Sequence, residues 1–331
     1  MTRFLIKRVL LAVLTLVAVS VVTFLLFFAV PTNPAEVMCG NARSCTPERI
    51  EMLEERLGLN EPLVEQYADF MAGIFVGRTY GEGELARECP APCLGFSFRN
   101  DEPVMDIVTR TLPVTASIVV GAAVVWLVVG VGLGMVSALR RGSWFDRAAI
   151  TVSLAGASMQ IYFFGLLLLI VFVYELGWLP NPGYTSPLED PVAWVSGMLL
   201  PWFTLGFLNS AVYARLARAQ MLETLSEDFI RTARAKGLPR RQVYGRHALR
   251  AAVTPIVTIA GLDIGNTLGG AVITETVFGM HGLGRTAVQA VEFLDMPIVM
   301  ATVLLAAFFI VVANIVVDLL YVVIDPRVRL S

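Results

Sequence analysis

Long apolar runs separated by short polar segments set the pattern of this chain. A hydrocarbon core about 30 Å thick takes roughly 20 apolar residues of helix to cross, so the runs can be counted as spans. Six are found: Val9–Val30, Leu112–Leu139, Ala148–Tyr174, Val192–Ala214, Ala251–Val277 and Met296–Ile324. Backbone groups in lipid must be satisfied within the segment, so each run predicts a helix and the chain an all-α, polytopic membrane protein. The turn Arg140–Arg147 is short enough to make the second and third spans antiparallel neighbours. The first run follows Arg3, Lys7 and Arg8 as a signal peptide would. It is read as a retained span, because it exceeds a 7–15-residue h-region and Pro31-Thr32-Asn33-Pro34 offers no small-x-small cleavage site.

Composition agrees: charged residues make up 16% of the chain, against about 25% in soluble domains. The formal net charge of −2 hides a division. Basic residues gather before the first span, in the 140–147 turn, across 215–250 and in the tail Arg327–Arg329. Six spans place all four on one side, which the positive-inside rule makes the cytoplasm. Acidic residues outnumber arginines across 31–108, which then faces outward. The expected organisation is an N-terminal end and first span (1–30), an extracytoplasmic cap region (31–108), a transmembrane core (109–325) and a cytoplasmic tail (326–331). Both termini are cytoplasmic. The charge pattern speaks of topology and carries no nucleic-acid signal.

The outer segment is long enough to hold its own helices. Thr46-Pro47-Glu48 supplies a cap, a first-turn proline and an acid, Ile50, Leu53 and Leu57 share a face, and Gly58 ends the helix. After Asn60 a second amphipathic stretch puts Leu63, Tyr67, Met71 and Ile74 together. All four cysteines, Cys39, Cys45, Cys89 and Cys93, lie in this region, which points to an oxidising compartment and disulfides. Three pairings are open, from a local Cys39–Cys45 closure to a long Cys45–Cys89 bridge. A zinc site is not expected, since His247 and His281 lie elsewhere.

The polar interruption Leu222–Pro255, LETLSEDFIRTARAKGLPRRQVYGRHALRAAVTP, carries complete helix punctuation. Ser226 is placed to cap a short helix, Glu227 and Asp228 suit its positive end, Arg231, Arg234 and Lys236 its negative end, and Gly237 and Pro239 stop it. The segment resembles the cytoplasmic coupling motif of binding-protein-dependent ABC importer permeases, with Gly237 as the motif's glycine. Arg231-Thr232-Ala233 stands where many members have Glu-Ala-Ala, and His247-Ala248-Leu249-Arg250 where Ile-x-Leu-Pro is common, a variant similar to the peptide and nickel branch. LGLNEPLVEQYADFMAGIF and GLDIGNTLGGAVITETVFGMHGLGRTAVQAV extend the resemblance over nearly the whole chain, while Tyr80–Cys93 looks like an insertion.

The resemblance implies a type I ABC importer fold and four kinds of partner: a second related permease, two ATP-binding subunits, an extracytoplasmic solute-binding protein received by the cap, and membrane lipid around the spans. It implies peptide cargo, with nickel, glutathione or an opine as alternatives in the same family. Segment 222–250 would couple to an ATPase through Asp228, Phe229, Ile230, Arg231, Ala233, Arg234, Lys236 and Gly237, with Phe229, Ile230 and Ala233 as apolar contacts. A solvated basic loop beside anionic lipid is the plain alternative. The chain itself lacks a phosphate cradle: its two lysines, Lys7 and Lys236, follow Ile6 and Ala235. No cofactor is therefore expected in this chain, ATP and Mg belonging to the partner, and no catalytic residues are expected either, because no H-E-x-x-H or Ser-His arrangement is present.

Within the fifth run, glycines 261, 265, 269 and 270 give a small face for helix packing. Asp263 is different: a carboxylate near mid-span costs about 2.5–3.5 kcal/mol on insertion scales and usually faces a cavity or a partner. Asp263, Asn266 and Glu275 are candidates to line the pathway, a hydrogen-bonded structural acid being the alternative for Asp263. Asn314 and Asp318 are candidate partners for it or structural groups, and a proton relay through Asp263 and Asp318 would instead suit a secondary transporter. His281, in the bend Phe278–Leu283, reads as a loop residue.

Overall fold

The computed structural model of the protein describes residues 2–28, 46–48, 50, 51, 54, 61–80, 86–97 and 99–324. Among the described residues, five helices are long and apolar enough to cross a bilayer, and a bent pair supplies a sixth span if counted as one. Helix α1 is Thr2–Phe28 and α2, in the outer segment, is Leu63–Val76. Two short antiparallel ladders follow, β1 (Arg78–Tyr80) with β2 (Arg87–Cys89), and β3 (Phe96–Ser97) with β4 (Glu102–Pro103). These ladders are the departure from a purely helical cap. The core then comprises α3 (Val104–Leu139), α4 (Trp144–Ser158), α5 (Ile161–Glu175), α6 (Pro191–Ser226), α7 (Asp228–Ala235), α8 (Arg240–Leu268), α9 (Val272–Val277), α10 (Leu283–Glu292) and α11 (Met296–Ile324).

The third apolar run is not one straight helix: α4 and α5 meet at 100°. Met159 and Gln160 take extended backbone at the joint, and the Ser158 hydroxyl bonds back to the Leu154 carbonyl. Ser158, Met159 and Gln160 thus interrupt a ladder that the apolar pattern alone would continue. The fifth run also divides: α8 stops at Leu268, and Gly270, with φ of 149°, turns the chain into α9.

Small residues set how closely the spans approach. A Cβ at Gly134 of α3 would stand 2.3 Å from the Ala214 carbonyl of α6, so these backbones touch. Along α8, Gly261, Gly265 and Gly269 meet Val317, Ala313 and Ala306 of α11, whereas Gly270 faces Gly284 and is not part of that stripe. Trp202 of α6 donates its indole N–H to the Ser117 carbonyl of α3 at 2.7 Å. The main core forms where α3, α6 and α8 converge, around Trp126, Met198, Tyr213 and Ile256.

Outside this core, α2 lies on α1, with Ser20 and Tyr67 sharing a 2.6 Å hydrogen bond and Phe24 edge-on to Tyr67. Ile50 N–H donates to the Thr46 carbonyl, a helical first turn where the cap signal falls. Leu53, Leu57, Gly58 and Asn60 lie outside the described residues, as do Cys39, Cys45 and the tail 326–331. Cys89 and Cys93 form a disulfide, buried with Tyr80 and Phe96. A Cys45–Cys89 bridge is therefore not formed.

Candidate functional site

The segment after α6 carries the most complete local design. Ser226 does not cap α7; it is the last residue of α6, and its hydroxyl bonds the Glu223 carbonyl at 2.6 Å. Glu227 takes the N-cap place with extended backbone, Asp228 follows in the first turn and Arg234 stands in the last. At the other end Gly237 adopts φ of 76°. Its N–H reaches the Arg234 carbonyl, and Leu238 N–H reaches the Ala233 carbonyl. That pair of bonds is a Schellman closure, which needs a left-handed residue at this place. Pro239 then opens α8, which begins with a basic turn and a π-helical stretch, Val243–Ala248.

One face of α7 is locked into the chain. Ile230 is fully buried and Ala233 nearly so, both packed into the main core with Val243 and Met221. These two side chains hold the helix to its own body and do not offer a surface to a partner, contrary to the expectation for them. Asp228, Phe229, Arg231, Arg234 and Lys236 face outward, Phe229 being 46% exposed. Arg231 pairs with Asp228 at 3.3 Å, and the Arg234 guanidinium lies 5.8 Å from the Tyr244 ring centre. The result is a two-turn helix, closed at its C-terminal end, with a fixed inner face and a mixed, charged outer face.

A clamp that the sequence reading missed lies at the same end of the bundle. Asp146, 3% exposed, accepts from Arg218 Nε and Nη2, from Ser137 Oγ and from Gly142 N–H. Ser143 caps α4 by accepting from Asp146 N–H. One carboxylate thereby ties α3, the basic turn and α6 together, close to where α6 hands over to α7. The signal available was an acid in an otherwise basic turn, with an arginine one helix away.

Among the three pathway candidates the structure separates Asp263 and Asn266 from Glu275. Tyr213 of α6, 1% exposed and stacked on Trp126, donates its hydroxyl to Asp263 Oδ2 at 2.6 Å. Asp263 is half-buried and Asn266 exposed, on the α8 face that also shows Ile259 and Leu262.

Glu275 is fully buried and lines nothing. Its Oε1 accepts from Thr115 at 2.7 Å, its Oε2 from Arg285 N–H at 2.7 Å, and Thr115 accepts in turn from Leu283 N–H. It fastens α3 and α9 to the start of α10, and a Cβ at Gly282 would stand 2.3 Å from its carboxyl carbon. Burial pushes this carboxyl above the usual range, with the Thr115 hydroxyl and backbone N–H groups opposing.

Asp318 pairs with Arg8 of α1 at 3.1 Å, Asn314 is exposed, and neither meets Asp263. His281 is exposed in its loop. Among the described residues no group of three or more His, Cys, Asp or Glu side chains is placed to hold a metal ion.

The comparisons with known proteins agree with this arrangement. Residues 1–119 match the N-terminal family of binding-protein-dependent transport system membrane components, and residues 130–330 match the family described as binding-protein-dependent transport system inner membrane component. The dipeptide transport system permease protein DppB of Alkalihalophilus pseudofirmus is 35% identical over 350 aligned positions, covering 99% of this chain and 100% of that protein. DppB of Escherichia coli K12 is 35% identical over 352 positions, covering 99% of each. In fold the chain is similar to a subunit of the MetNI methionine ABC transporter, solved in inward-facing conformations. The TM-score is 0.51 at 16% identity, over 67% of this chain and 97% of that one.

Proposed function

This chain belongs to the family of binding-protein-dependent transport system inner membrane components, as an ABC importer permease, and we propose that the cargo it passes is a peptide. Membership implies an ATPase and a substrate-binding protein as partners. The finer assembly is our reading: two permease chains, this one and a related one, two ATP-binding subunits that carry ATP and Mg, and a solute-binding protein received at the 31–108 end. The basic end, with both termini, then faces the cytoplasm. Nickel, glutathione and opines remain alternative cargoes for the test.

The observation that carries this reading is α7: a helix closed at its C-terminal end by Gly237, bolted to the core by Ile230 and Ala233, with Phe229 and its charged neighbours turned outward. Such a helix moves with the body it is fixed to. Closure of the ATPase subunits on ATP would push α7 as a lever, and the Asp146–Arg218 clamp would pass the displacement to α3, α4 and α6 together. Alternating access follows from that rigid coupling. The chain supplies the lever and half the path, and its motion needs no bond-making chemistry of its own.

The test is reconstitution of the complex in liposomes with its binding protein. ATP-driven uptake of a radiolabelled dipeptide is the expected result. Uptake of nickel, glutathione or an opine alone would overturn the cargo, and proton-driven uptake without the ATPase would overturn the importer reading.

A further inference from the structure

Asp263 sits in a membrane span, and among the described residues no cation pairs with it. From Leu112 to Leu139 in α3, through Ala214 in α6, from Ala251 in α8 and throughout α11 there is no Lys or Arg. Among the described residues Asp263 enters no salt bridge, whereas Asp318 of α11 takes Arg8. Arg215 is two positions from Tyr213, so it leaves α6 on a different face.

The carboxylate is held but only half satisfied. Tyr213 occupies Oδ2, and its ring is fixed by burial and by stacking on Trp126. Among the described residues Oδ1 has no hydrogen bond, and the side chain is not sealed in. It shares a face with the exposed Ile259, Leu262 and Asn266 at helical spacing. A carboxylate fixed by one buried donor, with its other oxygen free at the exposed face of a span, is built to receive a positive group, and its low-dielectric setting strengthens that attraction.

We propose that Asp263 is a specificity-determining residue, the counter-charge within the membrane for a cationic side chain of the cargo, with Tyr213 as its positioning residue. This rests on the importer reading above. The attraction is brief by construction, since one oxygen stays with Tyr213 and the cargo must leave again.

The test compares uptake of Ala-Lys-Ala and Ala-Glu-Ala by the complete transporter in liposomes, for wild type, Asp263→Asn and Asp263→Glu. The quantity read is the ratio of the two uptakes in one preparation, which does not depend on how much protein is inserted. The N-terminal ammonium, common to both peptides, cancels in it. Asp263→Asn should lower the Lys-to-Glu ratio by about tenfold, the equivalent of losing one modest ion pair, while Asp263→Glu retains it. If the Asn variant does not insert, Asp263→Ser is read in the same way. A ratio unchanged in Asp263→Asn, with both uptakes reduced alike, overturns the inference and assigns the carboxylate to structure or to a cation on the partner permease. Unchanged uptake of both peptides also overturns it. A wild-type complex that hydrolyses ATP but moves neither peptide overturns the importer reading instead, and this inference falls with it.

Discussion

Arg218 grips Asp146 with two parallel hydrogen bonds, Nε to Oδ1 at 2.7 Å and Nη2 to Oδ2 at 3.0 Å, across 72 positions of sequence. Planar two-point pairing of this kind fixes direction as well as distance. Removing one partner leaves the other under-solvated, and the Arg218 side chain is 25% exposed, so the cost is moderated by water. Asp146→Ala should destabilise the protein by about 2–3 kcal/mol, read as a lowered thermal midpoint in detergent. Asp146→Ala combined with Arg218→Ala should cost less than the sum of the two single changes. Additive losses would show that the clamp carries no joint energy.

Gly237 offers a sharper separation of packing from backbone. No atom would lie within 4 Å of a Cβ there, so a side chain meets no clash and only the left-handed φ of 76° resists it. Gly237→Val should cost about 1–2 kcal/mol and uncouple ATP hydrolysis from uptake while the protein stays in the membrane. Gly237→Asn should keep coupling, because asparagine tolerates this backbone region. Equal behaviour of the two variants would contradict the account.

Glu275 predicts a pH dependence whose sign is set by its raised pKa. The folded protein holds this proton more tightly than the unfolded chain, so stability falls as pH rises from the ordinary glutamate value near 4.3 through the raised folded value. Below that window the contribution is fully present. Glu275→Gln should flatten the slope of thermal midpoint against pH over this range. Asp295 shifts in the same direction, so the comparison is made between wild type and variant and not against zero. Identical slopes would mean that Glu275 does not titrate with folding.

The Cys89–Cys93 bridge closes a short loop of sequence separation 4. On the chain-entropy account so small a loop yields only about 2 kcal/mol. Reduction, or Cys89→Ser with Cys93→Ser, should therefore open the ladder of β1 and β2 to limited proteolysis without changing the midpoint of the core. Loss of the whole fold on reduction would show that the cap and the spans unfold as one.

Much of this was legible in the apolar pattern, because lipid leaves a chain little choice but helix. The last span, Met296–Ile324, has the expected bounds, and so has the punctuation of α7 at Gly237, where one residue type answers one backbone need. What escaped was set by contacts distant in sequence. The break between α4 and α5 is invisible to hydropathy, since only Ser158, Met159 and Gln160 mark it. Ser226 looked like a cap by type and position, yet α6 runs on through it. Ile230 and Ala233, apolar residues of a short charged helix, look available to a partner by type, yet both are buried in the main core. Glu275 and Asp263 were alike as acids in one apolar run. Thr115 and the start of α10 enclose the first, and Tyr213 holds the second at an open face.

The lever claim stands or falls on what touches the outer face of α7, and cysteine cross-linking in native membranes reads that directly. Phe229→Cys should form an adduct with a separate Walker-motif ATPase, in a yield that changes with ATP, whereas Ile230→Cys, buried against the core, should form none. The absence of any adduct from Phe229→Cys, Arg231→Cys or Lys236→Cys, in membranes that still take up peptide at the expense of ATP, would contradict the account.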